Sequence, residues 1–100
     1  MVTQSALPGH LLLVDDSDSD ACLFRLVAGE VMPEVTIARL ADGSAVIPHL
    51  ERGGELPALI VLDLEMPGMH GLEVLSALGM DPRWREIPVV IWSSSDRAQD

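Results

Sequence analysis

The sequence predicts an open α/β fold with a parallel sheet, and three observations lead to this prediction. Four short apolar runs are distributed along the 100 residues, helix-like segments alternate with them, and two of the runs lead directly into aspartates. The runs are continuous rather than alternating, which is typical of parallel strands covered on both faces. Acidic residues at the carboxyl ends of such strands indicate a functional site, because open α/β folds bind ligands there.

The first half of the chain begins with a predicted strand at residues 11–14. Residues 17–19 offer N-cap side chains to a helix whose apolar positions recur at helical spacing and which should stop before Pro33. A second strand is predicted at residues 35–40, and residues 42–44 read as a turn that caps the next helix. These segments form one strand–helix–strand unit.

The second helix is predicted at roughly residues 44–52. Pro48 falls inside it and should shorten or kink it, and the glycines at 53–54 should end it. The third strand, residues 58–62, is a fully apolar run that ends in Asp63. A charged oxygen is therefore predicted at the rim of the sheet.

The third helix should start at about Gly71 and end at the helix breaker in residues 81–82. Its apolar side is predicted to consist of Leu72, Leu75 and Leu78. Residues 87–92 form the last buried strand, and residues 93–96 read as a loop with the N-cap of a further helix.

The resulting order is β-α-β-α-β-α-β, which with right-handed crossovers gives a flavodoxin-like, doubly wound parallel sheet with strand order 2-1-3-4. Strands one and three are then neighbours, about 5 Å apart. Asp15, Asp16 and Asp63 should converge in one crevice at the switch point. Three carboxylates so close repel one another, and Mg²⁺ is the cation that best suits them beside a phosphate group. A carboxylate beside Mg²⁺ can attack a phosphoryl group and form an aspartyl phosphate.

The amino-acid composition argues against some classes of binding partner for this chain. The net charge is −10, with 16 acidic residues, six arginines and no lysine, which disfavours nucleic acids and anionic membranes as partners. No signal peptide and no apolar run of membrane-spanning length is visible in the sequence. The single cysteine, Cys22, is predicted to be a packed core thiol, and the cytoplasm is the expected compartment.

Three segments carry a resemblance to a known family. They are residues 11–17 (LLLVDDS), residues 59–71 (LIVLDLEMPGMHG) and residues 87–94 (IPVVIWSS). In this order and spacing they resemble the receiver domains of two-component response regulators, the CheY-like family, over nearly the whole chain. We therefore expect residues 1–100 to form one receiver domain.

The resemblance implies a role for each matching residue. Asp63 would accept a phosphoryl group from a sensor histidine kinase or a histidine phosphotransfer protein. Asp16 would bind Mg²⁺ directly, Asp15 would hold it through water, and the backbone carbonyl of Glu65 would complete the protein's share of the metal shell. Ser93 would be the switch hydroxyl that hydrogen-bonds the phosphoryl oxygen. Such a domain is not a multiple-turnover enzyme on an external substrate.

The sequence also departs from the family pattern. Receiver domains continue through a fifth strand that ends in a lysine, whereas this chain stops at Asp100 and contains no lysine. We expect a receiver domain truncated before strand 5, and the alternative is a degenerate receiver that acts only as a protein-binding module. Within the family, the sequence is most similar to the small regulators of phytochrome-type kinases. Homodimer formation stays open.

The sequence leaves two interpretations open for the side chains of Glu65 and Trp92. The side chain of Glu65 either points over the site and affects the approach of water or extends into solvent. Trp92 should face away from Ser93 by strand alternation and is interpreted as core or partner surface.

Overall fold

The computed structural model describes residues 9–64 and 71–92. The elements in chain order are β1 (His10–Val14), α1 (Asp18–Val31), β2 (Thr36–Leu40), a 3-10 turn (Gly43–Ala45), α2 (Val46–Glu51), β3 (Leu59–Asp63), α3 (Gly71–Gly79) and β4 (Val89–Trp92). All strand pairs are parallel, and the strand order is β2-β1-β3-β4. The predicted fold class and the order 2-1-3-4 are therefore confirmed.

The register of the strands aligns their carboxyl ends. In β1, Val14 pairs with Leu40 of β2 on one side and with Leu62 of β3 on the other. Asp63, the last residue of β3, pairs with Trp92, the last residue of β4. Consequently the residue after β1, the end of β3 and the end of β4 lie along one edge of the sheet.

The core is split by the sheet into two apolar clusters, because successive strand residues point to opposite faces. One cluster holds Leu12, Val14, Ile60 and Leu62 together with buried residues of α2 and α3, Trp84 and Ile87. The other cluster holds Leu11, Leu13, Val61 and Ala21, with Phe24 and Trp92 packed against it. Helix α1 thus covers one face, whereas α2 and α3 cover the opposite face.

Helix α1 begins as the sequence predicts, because the hydroxyl of Ser17 accepts a hydrogen bond from the backbone N–H of Asp20 over 3.2 Å. Its buried residues are Ala21 and Ala28, two turns apart on the helix. Cys22 is exposed, so the prediction of a core thiol is wrong. The helix packs through its small alanines, and Cys22 lies about 100° around the helix from Ala21.

The second helical segment covers residues 43–51, close to the predicted residues 44–52, but only its last six residues are α-helical. It consists of the 3-10 turn and six residues of α2, and Pro48 is the third residue of α2, where no intrahelical N–H bond is lost. The chain leaves the helix through Gly53 and Gly54, whose φ angles of 86° and 90° favour glycine. The predicted end of the helix is confirmed.

Helix α3 begins at Gly71 as predicted, but the predicted apolar side is only partly correct. The buried residues are Gly71, Val74 and Leu78, whereas Leu72 is 57% exposed. Spacings of three and four residues place this set on one face, and Leu72 lies about 100° away from Gly71 around the helix.

Strand β4 is shorter than the predicted run, and its residues Val90 and Ile91 are exposed rather than buried. With β2 it is one of the two outer strands of the sheet that residues 9–64 and 71–92 form, so one of its long edges is unpaired there. None of the helices in this part of the chain has the length and the apolar content that crossing a bilayer requires.

Candidate functional site

The structure brings three aspartates together at the carboxyl edge of the sheet. Ligand oxygens of Asp15, Asp16 and Asp63 all lie within 4.8 Å of one another. Asp15 and Asp63 are buried, with 0% and 1% of their surface exposed, and Asp16 is exposed. The cluster therefore consists of two buried carboxylates and one that is exposed to solvent.

The cluster follows from the strand register. Asp63 ends β3, and Asp15 is the first residue after Val14, whose partner in β3 is Leu62. Asp15 also continues the sheet, because its backbone N–H donates to the carbonyl of Leu40 over 3.0 Å. Both buried carboxylates are thus carried by hydrogen-bonded central strands, which position side chains more precisely than loops do.

Asp15 accepts a hydrogen bond on each carboxylate oxygen. The backbone N–H of Ser17 donates to Oδ1 over 2.9 Å, and the indole Nε1–H of Trp92 donates to Oδ2 over 2.9 Å. A buried carboxylate needs such donors, because burial without them is costly. Ser17 therefore serves two purposes: it caps α1 with its hydroxyl and binds Asp15 with its backbone.

Sequence reasoning missed the contact between Trp92 and Asp15. A signal was nevertheless available, since parallel strands align their carboxyl ends, which places Asp15, Asp63 and Trp92 at the same edge of the sheet. An indole is large enough to reach across a neighbouring strand. What the sequence left undetermined was the exact register of β4.

Arg39 on β2 is the second residue that sequence reasoning missed. Its Nε donates to the backbone carbonyl of Asp15 over 3.0 Å, and its Nη1 contacts the carboxylate of the exposed Asp18 over 2.8 Å. Its Nη2 is buried and has no hydrogen-bond partner among the described residues. Arg39 thus connects β2 to the loop that carries Asp15 and Asp16.

Two predicted site residues, Glu65 and Ser93, lie outside the described residues. Their predicted roles stay predictions. Leu64, the last described residue before Glu65, is fixed to the start of α3, because its carbonyl accepts a hydrogen bond from the backbone N–H of Gly71 over 3.3 Å. Gly71, seven residues after Leu64 in the chain, therefore lies next to the end of β3.

The donor set fits a hard divalent cation such as Mg²⁺ or Mn²⁺. Carboxylate oxygens are the ligands these ions prefer, and Mg²⁺ usually keeps several waters beside one or two carboxylates. The ligand oxygens of the three carboxylates, which all lie within 4.8 Å of one another, are close enough to share one cation and its waters. Because Asp16 is exposed, solvent reaches this side of the cluster.

Comparisons with known proteins identify the family. The response regulator receiver domain family matches residues 11–100. Response regulator Rcp1 of Synechocystis is 34% identical over 105 residues, covering 100% of this chain and 71% of that protein. The probable methanogenesis regulatory protein FilR2 of Methanothrix harundinacea is 35% identical, and this chain spans 66% of its length.

Solved structures give the same result. The bacteriophytochrome response regulator AtBRR has a TM-score of 0.80 and 32% identity, over 91% of this chain and 70% of that one. The Mn²⁺-bound form of Rcp1 has a TM-score of 0.80 and 34% identity, over 89% and 68% of the two chains. The predicted similarity to phytochrome-associated regulators is therefore confirmed. This chain belongs to the response regulator receiver domain family of two-component signalling.

Proposed function

We propose that this chain is a phosphoaccepting signalling domain in which Asp63 receives a phosphoryl group in a Mg²⁺-dependent reaction. The observation that supports this proposal is the convergence of Asp63 with Asp15 and Asp16, two of the three carboxylates being buried at one edge of the sheet. Such a concentration of negative charge is compensated when a divalent cation is present.

Each carboxylate has a distinct role in the proposal. Asp63 is the nucleophile: one of its oxygens forms a bond to phosphorus while the bond from phosphorus to the donor histidine nitrogen breaks, and that nitrogen keeps the electron pair. Asp16 binds Mg²⁺ directly and Asp15 holds it through water. Bound there, Mg²⁺ supplies positive charge that screens the carboxylates and the phosphoryl oxygens.

The direct and water-mediated metal roles of Asp16 and Asp15 come from the family resemblance, and so do the remaining site roles. The backbone carbonyl of Glu65 completes the protein's metal ligands, and the hydroxyl of Ser93 hydrogen-bonds the phosphoryl oxygen. The phosphodonor is a histidine kinase or a histidine phosphotransfer protein, and the similarity to phytochrome response regulators supports a phytochrome-type kinase. The cytoplasm, where a free thiol such as Cys22 stays reduced, is the proposed compartment.

Incubation with acetyl phosphate and MgCl₂, followed by intact mass spectrometry, tests the proposal. The wild-type chain should gain the mass of one phosphoryl group, and hydroxylamine should remove it, because an acyl phosphate is labile to that nucleophile. Asp63→Asn should gain nothing. Asp18→Asn, which changes an exposed aspartate of α1, is the matched control and should be phosphorylated like the wild type.

A second candidate function is a receiver that binds partners without being phosphorylated. A wild-type chain that gains no phosphoryl group, from either acetyl phosphate or a phosphorylated histidine domain, would support this second function.

A further inference from the structure

Trp92 connects the acidic cluster to the apolar face under α1. Its indole Nε1–H donates to Oδ2 of Asp15 over 2.9 Å, although the two residues are 77 positions apart in the chain. The same indole packs edge-to-face against Phe24 of α1, with ring centroids 5.6 Å apart and an interplanar angle of 88°. One side chain thus contacts a proposed metal ligand with its polar end and the core with its rings.

We propose that Trp92 is a positioning residue that orients the Asp15 carboxylate for a divalent cation and thereby raises the affinity of the site. The inference rests on the proposed function, because it needs a cation at the three aspartates. It goes beyond that function in assigning a role to a residue on β4 that is not itself a metal ligand.

The carboxylate of Asp15 is held at both of its oxygens. Rotation of a carboxylate about its last torsion angle is loosely restricted on its own. Here Ser17 donates to one oxygen and Trp92 donates to the other, so the plane of the carboxylate is set from both sides before a cation arrives. Removal of one donor would leave that plane defined at one oxygen only.

Trp92 does not compete with a cation for the Asp15 carboxylate. An ionised carboxylate has about four lone-pair sites, and the two N–H donors of Ser17 and Trp92 use one on each oxygen. A site on each oxygen is left for the cation or its water. Loss of the indole N–H therefore gives the cation no lone pair that it lacked before. The net effect of the loss is a less well oriented Asp15 carboxylate.

Trp92 is itself held in place by the sheet and by α1. It ends β4 in register with Asp63, and its rings pack between the sheet and Phe24. Residues that orient metal ligands act through such support, and replacing one typically weakens metal binding by about 10- to 100-fold. Since Asp15 is proposed to act through water, we expect the lower end of this range.

Calorimetric titration with MgCl₂ and MnCl₂ tests the inference on the full chain. Trp92→Phe keeps an aromatic ring against Phe24 but has no N–H, and it should bind both cations about 10-fold more weakly than the wild type. Trp84→Phe is the matched control, because Trp84 is buried in the cluster on the opposite face of the sheet, and its affinity should be unchanged. Wild-type affinity in Trp92→Phe would overturn the inference.

A double-mutant cycle separates positioning from general destabilisation. In an Asp15→Asn background, Trp92→Phe should cause little further loss of cation affinity, because the carboxylate that it orients is gone. Equal fold-losses in the two backgrounds would contradict the inference. If the wild type binds neither cation, the proposed function fails instead, so the two failures are distinguishable.

Nuclear magnetic resonance of the two tryptophan indole N–H groups gives a readout that does not depend on Trp92→Phe being folded. The Trp92 signal should shift in Asp15→Asn and shift again when MgCl₂ is added to the wild type, whereas the Trp84 signal should respond to neither change. A Trp92 signal that is insensitive to both would exclude the contact and overturn the inference.

Discussion

A Cβ atom placed on Gly71 would lie 2.7 Å from the backbone carbonyl oxygen of Asp63 and 2.7 Å from the Cα of Leu64. Real Cβ atoms essentially never approach backbone so closely, so only glycine permits this contact. The first residue of α3 therefore packs closely against the backbone at the end of β3, where the proposed phosphoacceptor lies.

Gly71→Ala should destabilise the chain by about 1–3 kcal/mol, because the added methyl group forces backbone to move in a packed region. It should also slow phosphorylation of Asp63, because the displaced backbone is that of the acceptor. Urea denaturation and the mass-spectrometric assay measure the two effects. Gly79→Ala in the same helix is the control, since a Cβ there meets nothing within 4 Å. Equal stability of the two variants would contradict the proposed contact.

Asp16→Asn should stabilise the cation-free chain by up to about 1 kcal/mol, because it removes one of three mutually repelling charges from a partly solvated site. With Mg²⁺ present the order should reverse, since the wild type gains the binding free energy of the cation. Thermal unfolding in EDTA and in MgCl₂ compares the two proteins. A variant that is less stable than the wild type in EDTA would argue against repulsion in the cluster.

Arg39→Ala should lower the free energy of unfolding by about 1.5–3 kcal/mol, the range for a hydrogen bond from a charged group. The effect should come from the bond to the backbone of Asp15 and not from the ion pair with Asp18, whose carboxylate is 93% exposed. Asp18→Asn should therefore change stability little. A large loss in Asp18→Asn would show that the ion pair carries the stabilisation instead.

Cys22 should react with a thiol reagent in the folded protein at a rate close to that of the urea-unfolded chain, because it is exposed on α1. Cys22→Ser should leave the denaturation midpoint nearly unchanged. Strong protection of the thiol in the native state would restore the interpretation of Cys22 as a core residue.

A fall in pH should destabilise the folded chain in part through protonation of His49. Its pKa is lowered by partial burial and by the positive charges of Arg52 and His10. A histidine whose pKa is lower in the folded state binds a proton more readily when the chain is unfolded. The contribution of His49 to the free energy of unfolding is therefore present above its unfolded pKa of about 6.5 and is lost as the pH falls through its pKa in the folded state. His49→Gln should flatten the stability profile between about pH 7 and pH 5. An unchanged profile, measured by urea denaturation across this range, would contradict this assignment.

The architecture and the acidic cluster could both be predicted from the amino-acid sequence. The local signals are the continuous apolar runs, the N-cap Ser17 and the glycines at 53–54. The preference for right-handed crossovers then leaves few possible topologies. Because parallel strands align their carboxyl ends, the positions of Asp15 and Asp63 in the sequence were enough to predict that they meet. Their meeting needed no knowledge of side-chain packing.

The contacts of the cluster depend instead on tertiary structure. Trp92 reaches Asp15 because the register of β4 places it level with Asp63, and Arg39 reaches the Asp15 loop from the opposite side of β1. The exposure of Cys22 and Leu72 likewise depends on the rotation of each helix against the sheet. Strand register and helix rotation are set by packing between residues far apart in the chain. Local sequence patterns therefore predicted which acids converge, and the packed structure determined which side chains orient them.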